Sequence, residues 1–271
     1  MYELQKLCDD VPRFSNDVAR QIFKDELGED FEDIYEDISP DPIAAASIGQ
    51  VYKAKIKATG EIVAIKVQRP GILETVSLDL CLIRKLANLL QPTPFIRSDL
   101  ASILDEWAGR FYEEMNYVQE AENGLKFMRL MQTLREVTAP RPIFNYTSRR
   151  VLTMQWIDGM RLVDAQPDEI SRLVNIGVTC YLMQLLETGF FHADPHPGNM
   201  IRTDDGKLCV LDFGLMSEME DYQKYGMIGS ITHLVKRDYT RVVEDFEYLG
   251  FLPPDHPELS EYVPTFQKVF D

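Results

Sequence analysis

The chain has 271 residues, 45% of them hydrophobic and 10% aromatic, enough to bury a substantial core in one large domain or two small ones. Its 28 basic against 44 acidic side chains leave a formal charge of −16, which speaks against a nucleic-acid footprint and against simple electrostatic attachment to anionic lipid, though not against membrane contact through an apolar face. The four cysteines, Cys8, Cys81, Cys180 and Cys209, form no Cys-x-x-Cys pair; Cys180 and Cys209 sit in apolar runs and read as buried thiols of a reducing compartment.

No run of 18 apolar residues occurs, and the first residues lack the basic start and apolar centre of a signal peptide. Both ends read as interiors of helices, so a longer parent protein is expected, with any targeting segment outside this chain.

Residues 1–41 are acidic and helical in pattern. Ser15-Asn16-Asp17 would cap a helix with Val18, Ile22 and Phe23 on one face, and Gly28 would end it. Residues 29–37, acids interleaved with Phe31 and Ile34, read as a solvated helix face.

From Pro42 the period changes to two. In residues 51–57 lysines alternate with Tyr52, Ala54 and Ile56, the mark of a half-buried antiparallel strand. Thr59-Gly60 turns the chain into a second strand, 62–67, on which Ala64 and Lys66 share a face. A lysine in so apolar a strand is costly unless paired, which makes Lys66 a functional candidate.

Two long helical stretches follow, 72–90 and one from Ser98-Asp99 that continues toward Leu134, with an acid-rich segment at 113–123 that offers a partner for Lys66. Residues 140–159 read as two strands. Pro167-Asp168-Glu169 starts a helix with Ile170, Leu173, Val174, Gly177, Tyr181 and Leu185 as its buried stripe, and Gly189 ends it. Residues 215–236 and 238–249 read as further helices, separated by Pro253-Pro254 from a last segment.

The chemistry concentrates in residues 189–214, GFFHADPHPGNMIRTDDGKLCVLDFG. His192, Asp194, Asn199 and Asp212 follow the spacing His-x-Asp-x-x-x-x-Asn and then Asp-Phe-Gly, which places one carboxylate against an attacking hydroxyl and gives an amide and a second carboxylate to magnesium. Asp205-Gly206 would close a two-residue hairpin between 200–201 and 208–211, a register that sets Asn199 opposite Asp212. His192 and His196 are four apart, but Pro195 and Pro197 break any helix that would bring them together on zinc.

Val63-Ala64-Ile65-Lys66 resembles the phosphate-anchoring strand of protein kinases, where the lysine holds the α- and β-phosphates. Residues 44–51, Ala-Ala-Ala-Ser-Ile-Gly-Gln-Val, fit the spacing of the kinase glycine loop, with alanine at two glycine positions and only Gly49 kept; alanine adopts positive φ at a cost and holds backbone amides further from phosphates. With Glu-Ala-Glu-Asn at 120–123, His-Ala-Asp-Pro-His-Pro-Gly-Asn at 192–199 and Asp-Phe-Gly at 212–214, the chain resembles the UbiB group of atypical kinases, also called the aarF or ADCK group.

That resemblance implies an α+β, bilobal protein-kinase-like fold. An N-terminal helical extension would occupy 1–41, a small antiparallel-sheet N-lobe with a helical insertion 42–157, and a mostly helical C-lobe 158–271. It implies ATP and Mg2+ as cofactors. Lys66, Glu120 and Asp194 would be catalytic, Asn199 and Asp212 would hold the metal, and Ala44, Ala45, Ala46, Ser47, Gly49, Val51, Ala64, Lys66 and Met154 would line the nucleotide. By position Glu114-Met115-Asn116 resembles the family's Glu-x-Asp motif with asparagine in the last place. The resemblance further implies an ATPase or small-molecule kinase of isoprenoid-quinone or prenyl-lipid metabolism, in plastids, in mitochondria facing the matrix, or on the bacterial cytoplasmic side, and the missing Ala-Pro-Glu segment and the alanine loop agree with an enzyme that is not an efficient protein kinase. Its partners would be ATP, a prenyl lipid or quinone precursor, and a membrane surface or quinone-biosynthesis complex met peripherally, with no nucleic-acid partner. A Ser/Thr protein kinase and a nucleotide-sensing scaffold without catalysis are the alternatives.

Overall fold

The computed structural model describes residues 12–45, 48–90, 100–252 and 262–270. The chain forms two compact units, one of Met1–Leu173 with Asp194–Leu215 and the other of Val174–Ala193 with Met216–Asp271.

The first unit opens with helix α1, Asn16–Leu27. Ser15 caps it, its hydroxyl accepting from the Val18 amide at 3.3 Å, and Gly28 ends it at φ 78° in the left-handed region. Ala19, Ile22 and Phe23 are its buried face, whereas Val18 is exposed. Residues 29–37 are not a solvated helix face: a single-turn helix α2, Phe31–Ile34, and strand β1, Tyr35–Glu36, turn Phe31, Ile34 and Tyr35 inward while the acids stay in water. Phe23 and Phe31 pack with ring centroids 4.2 Å apart, and Phe23 and Tyr35 at 5.7 Å.

These groups cover one face of an antiparallel sheet of β1, β2 (Ala44–Ala45), β3 (Gly49–Ile56), β4 (Ile62–Gln68) and, beyond the short β5 (Val137–Thr138), β6 (Val151–Gln155). Directly opposed residues share a face, and each strand alternates faces with a period of two. Tyr52, Ala54 and Ile56, Val63, Ile65 and Val67, and Val151 therefore form one core with α1 and α2. The other face carries two cross-strand rows, Ala44–Val51–Lys66–Leu152 and Lys53–Ala64–Met154. One face of the sheet builds the unit, and its reverse carries Lys66.

After β4 come the long helices α3, Ile72–Leu90, and α4, Leu100–Glu114, whose packing includes an Arg84–Asp105 ion pair at 2.8 Å. The second helical stretch does not run on as one piece. It breaks at Met115-Asn116 and restarts as α5, Tyr117–Leu130, with Asn116 at the N-cap in an extended conformation. Residues 140–150 hold no regular strand: Pro142 makes an isolated bridge to Met154, and Phe144–Tyr146 is a 3-10 turn.

A second sheet in this unit runs β5, β10 (Leu208–Val210), β9 (Met200–Thr203), β7 (Gly159–Arg161), with β5 parallel to β10. The β9–β10 turn differs from the two-residue hairpin read in the sequence. Leu208 pairs with Arg202, Cys209 with Ile201 and Val210 with Met200, while the Thr203 amide donates to the Lys207 carbonyl at 2.9 Å. Asp204, Asp205 and Gly206 thus form a three-residue loop with Gly206 at φ 80°, and the register moves by one.

Helix α6, Pro167–Met183, carries the chain into the second unit. Its buried positions are Leu173, Ile176 and Cys180, followed by Gln184; Ile170 and Val174, read as part of the stripe, are exposed. The helix is apolar on more than one side, so its spacing admits two solutions. A π-helical turn, Gln184–Thr188, ends at Gly189, φ 68°, and leads into β8, Phe190–His192. Residues 215–236 are not helical throughout, because Met216–Glu218 forms β11, antiparallel to β8, before α7 starts at Asp221 and runs to Val235. α8, Tyr239–Tyr248, and α9, Val263–Phe270, complete the unit, with Phe246 packed on Phe251 and Phe266. Pro253-Pro254 lies outside the described residues.

Candidate active site

Lys66 stands on the free face of β4, its side chain only 15% exposed. Its Nζ donates to both carboxylate oxygens of Glu120, at 2.8 and 2.9 Å, and to Asp212 Oδ2 at 3.3 Å. The ammonium also lies 4.8 Å from the ring centroid of Tyr117. Burial works against the ammonium, but the Asp212 and Glu120 carboxylates outweigh it and hold the Lys66 pKa well above its ordinary value. The lysine is therefore a fixed positive charge with two anchors.

Helix α5 supplies the anchor. Tyr117, Glu120, Asn123, Gly124 and Phe127 recur at helical spacing and are all buried. Lower on this face the Asn123 side-chain amide donates to the Phe213 carbonyl at 3.0 Å, and the Phe213 ring packs on Phe127 with centroids 5.0 Å apart. Gly124 makes room for it, since a Cβ there would lie 3.1 Å from the Phe213 ring. Asp212 is held from the other side: its Oδ1 accepts from the Gly214 amide at 2.9 Å. One helix thus sets both the lysine and the Asp-Phe-Gly segment.

Glu114, the last residue of α4, joins the same place. Its Cγ lies 3.0 Å from where a Cβ on Gly214 would stand. Burial pushes its carboxyl up to about 6, and the charges of Asp212 and Asp194 add to the rise. Three carboxylates share the neighbourhood of one lysine.

Asp194 is exposed, with His196 Nε2 at 3.9 Å from its carboxylate, and His196 Nδ1 accepts from the Gly198 amide at 3.2 Å. The 3-10 turn Pro197–Asn199 then delivers Asn199, whose carbonyl accepts from the Leu211 amide at 2.9 Å. Asn199 therefore faces Leu211 rather than Asp212, and Asp212 follows one residue beyond that pairing. His192 lies in the second unit, 4% exposed on β8, with its amide donating to Gln184 Oε1 at 2.9 Å.

Of the residues read as lining a nucleotide, Ala44, Val51, Ala64 and Met154 share the Lys66 face of the sheet. Ala45 pairs with Gln50 and falls on the opposite face. Ala46 and Ser47 lie outside the described residues. Gly49 is required by close approach: a Cβ there would meet the Tyr117 hydroxyl at 2.5 Å and the Val67 carbonyl at 2.7 Å. Met154 packs toward Tyr117, Ala121 and Leu152, beside a cavity of about 10 Å³ also lined by Glu120 and Phe213.

Among the described residues, no group of three or more His, Cys, Asp or Glu side chains is arranged as a self-contained metal centre. Asn199 and Asp212 offer hard oxygens from neighbouring ladder positions, and magnesium takes one or two protein donors when phosphates and waters supply the rest, so the pair fits that ion.

Sequence reasoning placed Glu114 in the Glu-x-Asp-like motif and Asn123 in Glu-Ala-Glu-Asn without giving either a role, and it did not single out Tyr117. The signal was present in their spacing, since Tyr117 and Asn123 lie three residues on either side of Glu120 and share its helix face, and Glu114 ends the preceding helix. An acid-rich segment hides them, because buried and solvated acids look alike until the partner is known.

Residues 6–246 match the family model described as the ABC1 atypical kinase-like domain. An uncharacterized protein of the cyanobacterium Synechocystis is 48% identical over 99% of this chain and 40% of its own length. The chloroplastic Activity of BC1 Complex Kinase 3 of Arabidopsis thaliana is 45% identical over 99% of this chain and 38% of its own length. The chain thus spans about two fifths of these relatives. Among solved structures, a Mycobacterium tuberculosis protein described as the Rv3197–erythromycin complex superposes with a TM-score of 0.70 at 24% identity, covering 96% of this chain and 66% of that one, which shows the same mixed α+β, kinase-like fold. The chain belongs to the ABC1 atypical kinase-like family.

Proposed function

We propose that the chain binds Mg·ATP and transfers or releases its terminal phosphoryl group, with a small hydroxylated lipid of the prenyl or quinone-precursor class, or water, as the acceptor. The observation that carries this reading is the Lys66 ammonium, bound by both oxygens of Glu120 and lying 3.3 Å from Asp212. In this reading Lys66 neutralises charge on the α- and β-phosphates, and Glu120 keeps it aimed there when Asp212 turns to a metal. Magnesium held by Asn199 and Asp212 supplies charge neutralisation on the phosphate oxygens. Asp194, exposed at the surface of its turn, accepts a hydrogen bond from the attacking hydroxyl and orients it.

The names of the Arabidopsis relatives place them in chloroplasts, and other relatives come from a cyanobacterium. This supports a plastid or a cyanobacterial cell as the setting. Among the described residues no helix is long and apolar enough to cross a membrane.

The test is ADP release by the purified protein with and without a prenylated phenol, beside Asp194→Asn. Turnover should fall roughly 100-fold or more in Asp194→Asn, with nucleotide affinity preserved. Equal turnover in the two proteins would remove Asp194 from the chemistry, and phosphate appearing on a peptide but never on the phenol would favour a protein kinase.

A further inference from the structure

Beyond the Lys66–Glu120 pair, a second side chain of β4 reaches the helices that carry the anchor. Gln68 lies two residues past Lys66 on the same strand, hence on the same face and about 7 Å further along. It is 4% exposed, and its side-chain amide donates to the Met115 carbonyl at 2.8 Å. Met115, itself buried, stands at the break between α4, which ends at Glu114, and α5, whose N-cap is Asn116.

That break makes the bond possible. Asn116 is extended, at φ −107° and ψ 95°, so the Met115 carbonyl lies outside both helices. A buried carbonyl needs a donor, and Gln68 supplies one from the sheet. The Tyr117 amide, first of α5, donates in turn to the Arg149 carbonyl ahead of β6 at 3.1 Å. The start of α5 is thus pinned to β4 by a side chain and to the approach of β6 by its backbone.

A helix held by one ion pair can pivot about it, and a second attachment removes the pivot. The Lys66–Glu120 pair and the Gln68–Met115 bond join the same two pieces of chain, at points two residues apart on β4 and five apart from Met115 to Glu120. They differ in what can disturb them. Phosphates and a metal compete for the Lys66 ammonium and the Asp212 carboxylate, whereas the Gln68–Met115 bond joins two neutral groups inside the joint.

We propose that Gln68 is a positioning residue of the nucleotide site: it keeps α5 docked on β4, so that Glu120 stays aimed at Lys66 when ligand charges draw the lysine away. The proposal rests on the reading of Lys66 as a phosphate ligand. Gln68 acts on the nucleotide through Glu120 alone.

The test is a double-mutant cycle on the 271-residue chain, with Mg·ADP affinity measured by calorimetry. Gln68→Met keeps an unbranched side chain without the donor and should weaken Mg·ADP binding about tenfold, the scale of one buried hydrogen bond. In a Glu120→Gln background the same substitution should change affinity by less than about twofold, because the pair it steadies is already broken, while the melting temperature falls in both backgrounds. Without nucleotide, the amides of α5 should exchange at least about tenfold faster in Gln68→Met, with those of α1 unchanged. Gln68→Asn, whose amide ends one methylene short of Met115, should show the same pattern and takes the place of Gln68→Met if that variant does not fold. Unchanged affinity, an equal loss in both backgrounds, or unchanged exchange in α5 would overturn the proposal. An unaltered chain that binds no Mg·ADP would overturn the nucleotide reading instead, and exchange in α5 would then decide the role of Gln68 by itself.

Discussion

Lys66 is the residue on which the first unit's electrostatics turn. Breaking a buried ion pair by removing one partner costs about 3–5 kcal/mol, because the other charge is left behind. Lys66→Met strands Glu120, Asp212 and Glu114 together, and protonation relieves them at low pH. Its melting temperature should therefore drop far more at pH 8 than at pH 5, and adding Glu120→Gln should restore part of the loss. A uniform drop at both pH values would contradict this account of the cluster. Glu114 gives a second, finer test. Its carboxyl is raised to about 6 from an ordinary 4.5, so in the window between those values the folded protein holds a proton that the unfolded chain has released. Its contribution to stability falls as pH rises through that window and is level above it. Glu114→Gln should flatten that segment of the melting-temperature profile. Asp212→Asn should lower the Glu114 pKa, readable by carboxylate NMR, and abolish magnesium-dependent nucleotide binding; unchanged Mg·ATP affinity by calorimetry would contradict the metal assignment.

Among elements, helix α5 does the most positioning, because one face of it holds both Lys66 and the Phe213 carbonyl. Asn123→Leu should cost about 1 kcal/mol in stability and weaken Mg·ATP binding by loosening Asp212. Intact nucleotide affinity would reduce Asn123 to packing. Gly49→Ala should lower stability by about 1–3 kcal/mol, the usual cost of forcing atoms into a filled space, as measured by thermal unfolding. The elements also show how far the sequence could be read. Strands β3 and β4 and helix α3 were legible nearly to the residue, because a period of two or of 3.6 was unbroken and Thr59-Gly60 and Pro70-Gly71 marked the changes. The β9–β10 register was not, since Asp204-Asp205-Gly206 permits a two- or a three-residue loop, and it is the Thr203 amide bonded to the Lys207 carbonyl, with the Lys207 amide donating to the Thr203 hydroxyl, that closes the longer one. The face of α6 escaped for a related reason, its apolar residues offering two stripes where burial selects one. The face that Ala45 takes was not legible, because the loop spacing does not say where strand pairing begins, and parity puts it on the far side of the sheet from Lys66.

At the scale of the molecule, the two units carry different parts of the reading. Lys66, Glu120, Asp194, Asn199 and Asp212 belong to the first, whereas His192 belongs to the second. Nucleotide should therefore protect amides of β3, β4 and α5 from hydrogen exchange more than those of α8 and α9. Saturation at about 100 times the dissociation constant should add roughly 2.7 kcal/mol to the stability of the first unit. Protection confined to the second unit would move the binding site.

The Tyr117 hydroxyl adds a last consequence. It is fully buried, without a hydrogen-bond partner among the described residues, between Gly49 and the lysine that its ring supports. A phenylalanine would keep the ring and shed the desolvation cost of about 1–3 kcal/mol. Selection for heat resistance alone should thus converge on Tyr117→Phe, and the tyrosine in this chain marks a place where thermal robustness has been left ungathered.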